Sequence, residues 1–159
     1  MNNLPIDIVI PWVDEKDLEW QRVKAQYNAD DSFEASNMRF QSWDNLKYWF
    51  RGVEENASWV NKIFFVTYGH IPKWLNINNP KLEVIKHDEF IPKEYLPTFN
   101  SNVIQFYLDR IKGLSEKFVL FDDDIYVINK TKKTDFFIDN KICDNFGENV
   151  FHISKMGDV

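Results

Sequence analysis

A single cysteine, Cys143, is all the thiol chemistry that this 159-residue chain offers. One thiol cannot build an internal disulfide framework, and no cysteine–histidine cluster has the spacing of a zinc site. A reducing cytoplasm fits that composition. Basic runs are also missing. Lysine and arginine number 19 against 25 aspartate and glutamate, for a net charge of −6, so nothing in the chain would track a nucleic-acid backbone. No apolar run approaches the roughly 18 residues of a membrane span. The first residues lack the basic n-region and apolar h-region of a signal peptide. The expectation is a soluble, cytoplasmic chain with no transmembrane segment, able to work at the inner face of a membrane on a lipid-linked substrate. Glycine-rich phosphate loops of both standard kinds are missing, as are internal repeats, low-complexity tracts and linkers.

Aromatic side chains, by contrast, are abundant: 16% of residues, within a hydrophobic fraction of 44%. That excludes disorder. The length suits one domain, which at this size buries about two thirds of its unfolded surface. Residues 6–13 read as a buried strand, and 14–27 as a charged segment with loose helical spacing through Leu18, Trp20 and Val23. Residues 28–36 read as a loop. In 44–57, Leu46, Trp49, Phe50, Val53 and Ala57 recur at helical spacing, with Asp44 as the candidate cap. Strands follow at 62–68, ended by Gly69, and at 82–86. The proline-bearing 87–99 reads as a loop. A helix capped by Asn100 or Ser101 then runs through Val103, Ile104, Tyr107, Leu108 and Ile111 to Gly113. Residues 118–121 form a fourth strand, Phe136-Phe137 a short helix, and 150–153 a last strand. Strands alternating with helices predict an α/β fold, a mainly parallel sheet with helices on both faces. Ligands in such sheets sit beyond the carboxyl ends of strands, which places 12–14, 67–70 and 122–124 on one rim.

The triplet Asp122-Asp123-Asp124 carries the most chemistry. Three consecutive carboxylates repel one another and persist where a cation or hydrogen-bond donors compensate them. Mg²⁺ favours one or two carboxylates plus phosphate oxygens, and Asp-x-Asp is the pattern of metal-dependent nucleotide-sugar transferases. A solvated acidic turn is an equal alternative on spacing alone. Asp14, after the first strand, either contacts a nucleotide or caps the next helix. Ser101 at a helix start caps it or binds phosphate with the helix N-terminus. Arg110 either grips phosphate bidentately or joins surface salt bridges. His70 and His87 near turns, and His152 in a strand, read as structural. Cys143 has no helper and reads as inert.

Three stretches together resemble the Stealth family, which includes bacterial capsule and exopolysaccharide phosphotransferases and the catalytic subunit of the animal N-acetylglucosamine-1-phosphotransferase. IDIVIPWVDEKD, residues 6–17, is similar to the family's first conserved region. LKYWFRGVEENASWVNKIFFVTYGHIPKWLNINNPKLEVIKHDEFIPKEYLPTFNS, residues 46–101, and RIKGLSEKFVLFDDDIYV, residues 110–127, resemble the second nearly end to end. The resemblance covers most of the first 128 residues and implies a single α/β domain over 1–159 that is the N-terminal part of a longer transferase.

It further implies a GT-A/Rossmann-like core, a UDP-sugar donor, Mg²⁺ or Mn²⁺, and transfer of sugar-1-phosphate to a hydroxyl of a glycan or lipid-linked oligosaccharide acceptor with release of UMP. On this resemblance Ser101, Gln105 and Asp124 are the catalytic candidates. Asp123 and Asp124 are the metal ligands, and Trp12, Asp14, Asn100 and Arg110 contact substrate. Three positions depart from the family pattern: Asp122 stands for an asparagine, Gln105 for a glutamate, and Gln41-Ser42 for an arginine–aspartate pair. Gln105 cannot take a proton. The family's later histidine and arginine have no counterpart after Asn129. These departures lean toward reduced or altered activity. They leave open a GT-A glycosyltransferase that releases UDP and a non-catalytic nucleotide-sugar- or glycan-binding fragment.

Overall fold

Ile6, Ile8, Val9 and Ile10 sit almost side by side with no polar alternation, the pattern of a strand buried on both faces. In the computed structural model, which describes residues 4–27, 40 and 42–143, they form the central strand. The expected loop at 28–36, Gln41, and the expected strand at 150–153 with His152 lie outside the described residues. Strand β1 (Ile6–Trp12) pairs in parallel with β2 (Ile63–Thr67) on one side and β4 (Lys117–Leu120) on the other, and β2 pairs in parallel with β3 (Leu82–Lys86). The order is β3-β2-β1-β4. This is the expected parallel α/β sheet, Rossmann-like in that the chain winds outward from β1 and then returns to its other side.

Alternate side chains of the central strands feed two cores. Ile8, Ile10 and Phe65 face helix α2 (Leu46–Asn56), whose Leu46, Trp49 and Val53 are buried against them. Val9, Phe64 and Val66 face the opposite way, toward Phe90, Ile91, Leu108 and Ile111, with Ile104 of helix α3 (Ser101–Phe106) packed alongside. Trp49 and Phe65 have no exposed surface. Truncating such a side chain removes about 3–5 kcal/mol of stability.

Several expected boundaries move. Helix α1 (Leu18–Tyr27) starts later than the charged segment that precedes it, because Asp17 Oδ1 accepts the Trp20 N–H at 2.7 Å and caps it. Asp14 is not that cap. Asp44 does not cap α2 either. Its φ of 55° turns it away, and Asn45 occupies the cap position without a side-chain bond. The expected helix over 101–112 stops after six residues and gives way to a 3₁₀ turn at Leu108–Arg110. Its run of β-branched and aromatic residues has low helix propensity. The supposed loop 87–99 contains two 3₁₀ turns, His87–Glu89 and Lys93–Tyr95. Phe136-Phe137 is not helical. A 3₁₀ turn at Lys133–Asp135 leads into a hairpin of β5 (Phe137–Ile138) and β6 (Lys141–Ile142). Asp139 and Asn140 turn it with φ of 48° and 65°, which these two residue types tolerate best after glycine.

One polar side chain is fully buried inside β1. Asp7 Oδ1 accepts the Asn61 Nδ2–H at 2.8 Å and the Lys62 N–H at 3.0 Å, and Oδ2 accepts the Ser115 N–H at 2.8 Å. The carboxylate thus ties the segments leading into β2 and β4 to the start of β1. Asp7→Ala leaves those donors unpaired and is expected to cost roughly 3 kcal/mol. Asp7→Asn keeps the shape but presents an amide donor to another donor, and recovers only part of that loss. Urea denaturation midpoints of the three proteins check this ordering.

Candidate functional site at the carboxyl rim of the sheet

Between β1 and β4 the direction of winding reverses, and the crevice outside the carboxyl ends at such a point is where open α/β sheets bind ligands. The Phe121 N–H donates to the Val9 carbonyl at 2.9 Å, one residue after β4 ends. The chain therefore leaves the sheet opposite the middle of β1 and runs directly into Asp122, Asp123 and Asp124. A turn, with the Ile125 N–H on the Asp122 carbonyl at 3.2 Å, carries the triplet. Asp122 and Asp124 are exposed and Asp123 is half-buried. Burial, followed by the charge of Asp124 and then of Asp122, pushes the Asp123 carboxyl above the ordinary aspartate value against an opposing backbone hydrogen bond.

Two observations bear on a cation here. Among the described residues no three His, Cys, Asp or Glu side chains converge into a closed cage. A paired carboxylate site completed by phosphate oxygens needs no such cage, and hard oxygen donors are what Mg²⁺ or Mn²⁺ prefers. The Tyr126 hydroxyl, buried and without a hydrogen-bond partner, feels the charges of Asp123 and Asp124. Asp123 and Asp124 thus present adjacent carboxylate oxygens at the rim.

The rim concentrates unsatisfied polar atoms. Six buried side-chain N or O atoms lack partners among the described residues, and five lie at or after the carboxyl end of a strand: Trp12 Nε1, Glu15 Oε2, His70 Nδ1, His87 Nδ1 and the Tyr126 hydroxyl, while Trp49 Nε1 is the exception. Buried polar groups are normally paired.

The loop after β1 is well defined. Trp12 stacks on Phe65, with centroids 5.6 Å apart, and meets the His70 ring edge-on at 5.3 Å. Asp14 folds an Asx turn, its Oδ1 accepting the Lys16 N–H at 3.0 Å, and its own N–H donates to His70 Nε2 at 2.8 Å. The structure therefore joins Trp12 and Asp14, and adds His70, which sequence reasoning took as structural. His87 is buried beside Tyr68 and Phe90, and burial holds its pKa down to about 4.

At α3, Asn100 is the cap: its Oδ1 accepts the Asn102 N–H at 2.9 Å. Ser101 is the exposed first residue of the helix, and half-buried Gln105 lies one turn on. Two residues before Ser101, Phe99 packs on Trp20 and Tyr27 of α1, with centroids 5.8 Å and 6.2 Å apart. That contact draws the start of α3 toward the helix that follows β1. No hydrogen bond or ion pair among the described residues joins Ser101, Gln105 or Arg110 to the triplet. The Arg110 guanidinium lies over the Tyr107 ring at 4.8 Å.

The largest omission of the sequence reading is the grip of α2 on the far end of the acidic segment. A Cβ on Gly52 would stand 2.8 Å from the Val127 carbonyl oxygen, so only glycine admits the chain at that point. Asn56 Nδ2–H donates to the same oxygen at 2.9 Å, and the Asn56 carbonyl accepts the Thr131 N–H at 2.8 Å. Trp59 Nε1–H reaches the Thr131 hydroxyl at 3.0 Å. With Phe121 packed on Trp49 at 5.8 Å, the triplet hangs between two anchors on one helix. A glycine in mid-helix was the available sequence signal.

Fold and rim together define an α/β protein with a parallel-sheet switch point faced by carboxylates. The profile of the Stealth protein CR2, conserved region 2, matches residues 39–145. The chain is 49% identical over 138 residues to the capsular polysaccharide phosphotransferase WcwK of Streptococcus pneumoniae, covering 85% of this chain and 41% of that protein. It is 48% identical over 140 residues to the capsular polysaccharide phosphotransferase eps5J of Streptococcus thermophilus, covering 86% and 59%. It is also 40% identical over 167 residues to the receptor polysaccharide phosphotransferase WefC of Streptococcus gordonii, covering 96% and 50%. The chain belongs to the Stealth family, and it spans about half the length of the curated relatives it matches. No helix among the described residues is long and apolar enough to cross a membrane.

Gly52→Ala provides a test of the α2 anchor. By helix propensity alone the substitution should stabilise by about 1 kcal/mol. The clash with Val127 predicts the opposite sign, a lower denaturation midpoint. Asn56→Ala, which strips the Val127 carbonyl of its donor, should cost about 1–2 kcal/mol in the same urea titration.

Proposed function

We propose that this chain is the donor-binding part of a phosphotransferase that moves sugar-1-phosphate from a UDP-sugar to a hydroxyl of an acceptor glycan, releasing UMP, in capsule or exopolysaccharide synthesis. The observation that carries the reading is the acidic triplet at the β1/β4 switch point of a Stealth-family chain, where a diphosphate would lie against Asp123 and Asp124. Membership of a family whose relatives are named capsular and receptor polysaccharide phosphotransferases supports the reaction class.

In this reaction the acceptor oxygen attacks the β-phosphorus, the bond from that phosphorus to the bridging oxygen breaks, and UMP departs with the electron pair. The sugar keeps its own oxygen–phosphorus bond, and the acceptor hydroxyl surrenders its proton to a base. A divalent cation bound there supplies charge neutralisation for the diphosphate and the departing UMP. Asp123 and Asp124 hold that cation, Trp12 and Asp14 border the nucleotide, and Ser101 with the first turn of α3 orients phosphate. Gln105, an amide, positions a group by hydrogen bonding and takes no proton, so the base is another residue. The working location is the cytoplasm, in keeping with a lone unpaired thiol.

Gln105 also favours a second reading, binding of nucleotide sugar or glycan without turnover. Product identity separates the alternatives in a full-length protein supplied with acceptor: UMP marks phosphosugar transfer, UDP marks glycosyl transfer, and neither marks binding alone.

Calorimetric titration with UDP-N-acetylglucosamine and UDP-galactose tests the donor site, run with Mg²⁺, Mn²⁺ or chelator. Binding should require the metal and weaken at least about tenfold in Asp123→Asn and Asp124→Asn. Unchanged affinity in both variants sinks the reading. Because the Asp123 carboxyl is pushed up, metal-dependent binding is complete above that raised value and declines as pH falls through it, earlier than for an ordinary aspartate.

A further inference from the structure

The imidazole of His70 joins two loops that the sheet itself does not connect. It follows β2, in a turn where the Thr67 hydroxyl donates to the His70 carbonyl at 2.8 Å and accepts the Gly69 N–H at 2.7 Å. Gly69 supplies the φ of 138° that this turn needs. From there the ring crosses to the loop after β1: Nε2 accepts the Asp14 N–H at 2.8 Å, and the ring edge meets Trp12 at 5.3 Å. An imidazole accepts at Nε2 only in its neutral form with the proton on Nδ1.

We propose that His70 is a positioning residue, whose neutral ring clasps the Asp14 amide and thereby holds Trp12 and Asp14 at the rim in the arrangement that receives the nucleotide. The inference rests on the donor-binding reading above, and it adds a dependence on a group that touches no substrate. Desolvation lowers the His70 pKa below the ordinary histidine value, opposed by the nearby carboxylates of Asp17 and Asp14 and by the Trp12 backbone. Tyr68, with its ring 6.3 Å away, and His87 are the other titratable groups that face it. The clasp is therefore closed at neutral pH. It opens as pH falls through the lowered value, because a protonated Nε2 confronts the Asp14 N–H donor with a second donor.

The test follows the Asp14 amide and the His70 ring by ¹⁵N–¹H NMR from about pH 8 to about pH 5, alongside UDP affinity in the presence of Mg²⁺. The Asp14 amide should shift and lose exchange protection with the midpoint of the His70 ring. His70→Gln retains an acceptor that does not titrate, so it should bind UDP like the unaltered protein at neutral pH and lose the histidine portion of the acid decline. The portion due to carboxylates persists in both profiles. His70→Phe keeps the aromatic edge without the acceptor and should bind about three- to tenfold more weakly while remaining folded. An Asp14 amide indifferent to His70 titration, coincident pH profiles for the unaltered protein and His70→Gln, or full affinity in a folded His70→Phe overturns the proposal. The NMR arm needs no nucleotide. A chain that binds no UDP at any pH refutes the donor reading, while the amide alone decides the clasp.

Discussion

The Asp7 carboxylate is the constraint from which the rest of the architecture follows. A carboxylate near the start of a strand, with no exposed surface, is tolerated only because both its oxygens are occupied by donors. Those donors come from the approaches to β2 and β4, the two strands that flank β1. A parallel sheet has no tight hairpins to set its register, since each strand returns through a long crossover. The carboxylate substitutes for them. With the amino ends aligned, the carboxyl ends of β1 and β4 are brought side by side, and Trp12, Asp14 and the acidic triplet share one edge.

Helix α2 carries that alignment onward. Its inner stripe of Leu46, Trp49 and Val53 fills one core, while Gly52 and Asn56 hold the Val127 carbonyl and Trp49 holds Phe121. The triplet is short, acidic and partly exposed, and self-repulsion would splay it. Anchoring both ends on one rigid element opposes that tendency, leaving Asp123 half-buried among like charges. The strain of crowding is thus confined to three residues rather than spread through the sheet.

Elements with strong periodicity were legible in the sequence. The β-branched runs at β1, β2 and β3 and the apolar stripe of α2 declared themselves, because burial on a pleated or helical surface demands those patterns. Parallel pairing followed from alternation. What escaped was set by tertiary context. Asp7 looks like an interruption in an apolar strand until its donors, 54 and 108 residues away, are in place. Asp14 and Asp44 were the cap candidates where Asp17 and Asn45 take the positions, and local sequence does not reveal which backbone dihedrals each adopts. The α3 segment had an apolar helical spacing, yet its β-branched and aromatic residues break into a 3₁₀ turn. In the rim, the acidic triplet, Trp12 and Asp14 were visible by type and position. His70 was placed on the same rim, but its role was not visible, since nothing in its neighbourhood along the chain points to an amide 56 residues earlier.

The opposite edges of the sheet have different duties. The amino edge is fastened by satisfied bonds around Asp7, whereas among the described residues five orphaned polar atoms and crowded carboxylates lie at or beyond the carboxyl ends of the strands. Stability and the polar character of the rim therefore reside in different residues. Substitutions along the carboxyl edge can change what that edge presents while the bonds at the amino edge stay intact.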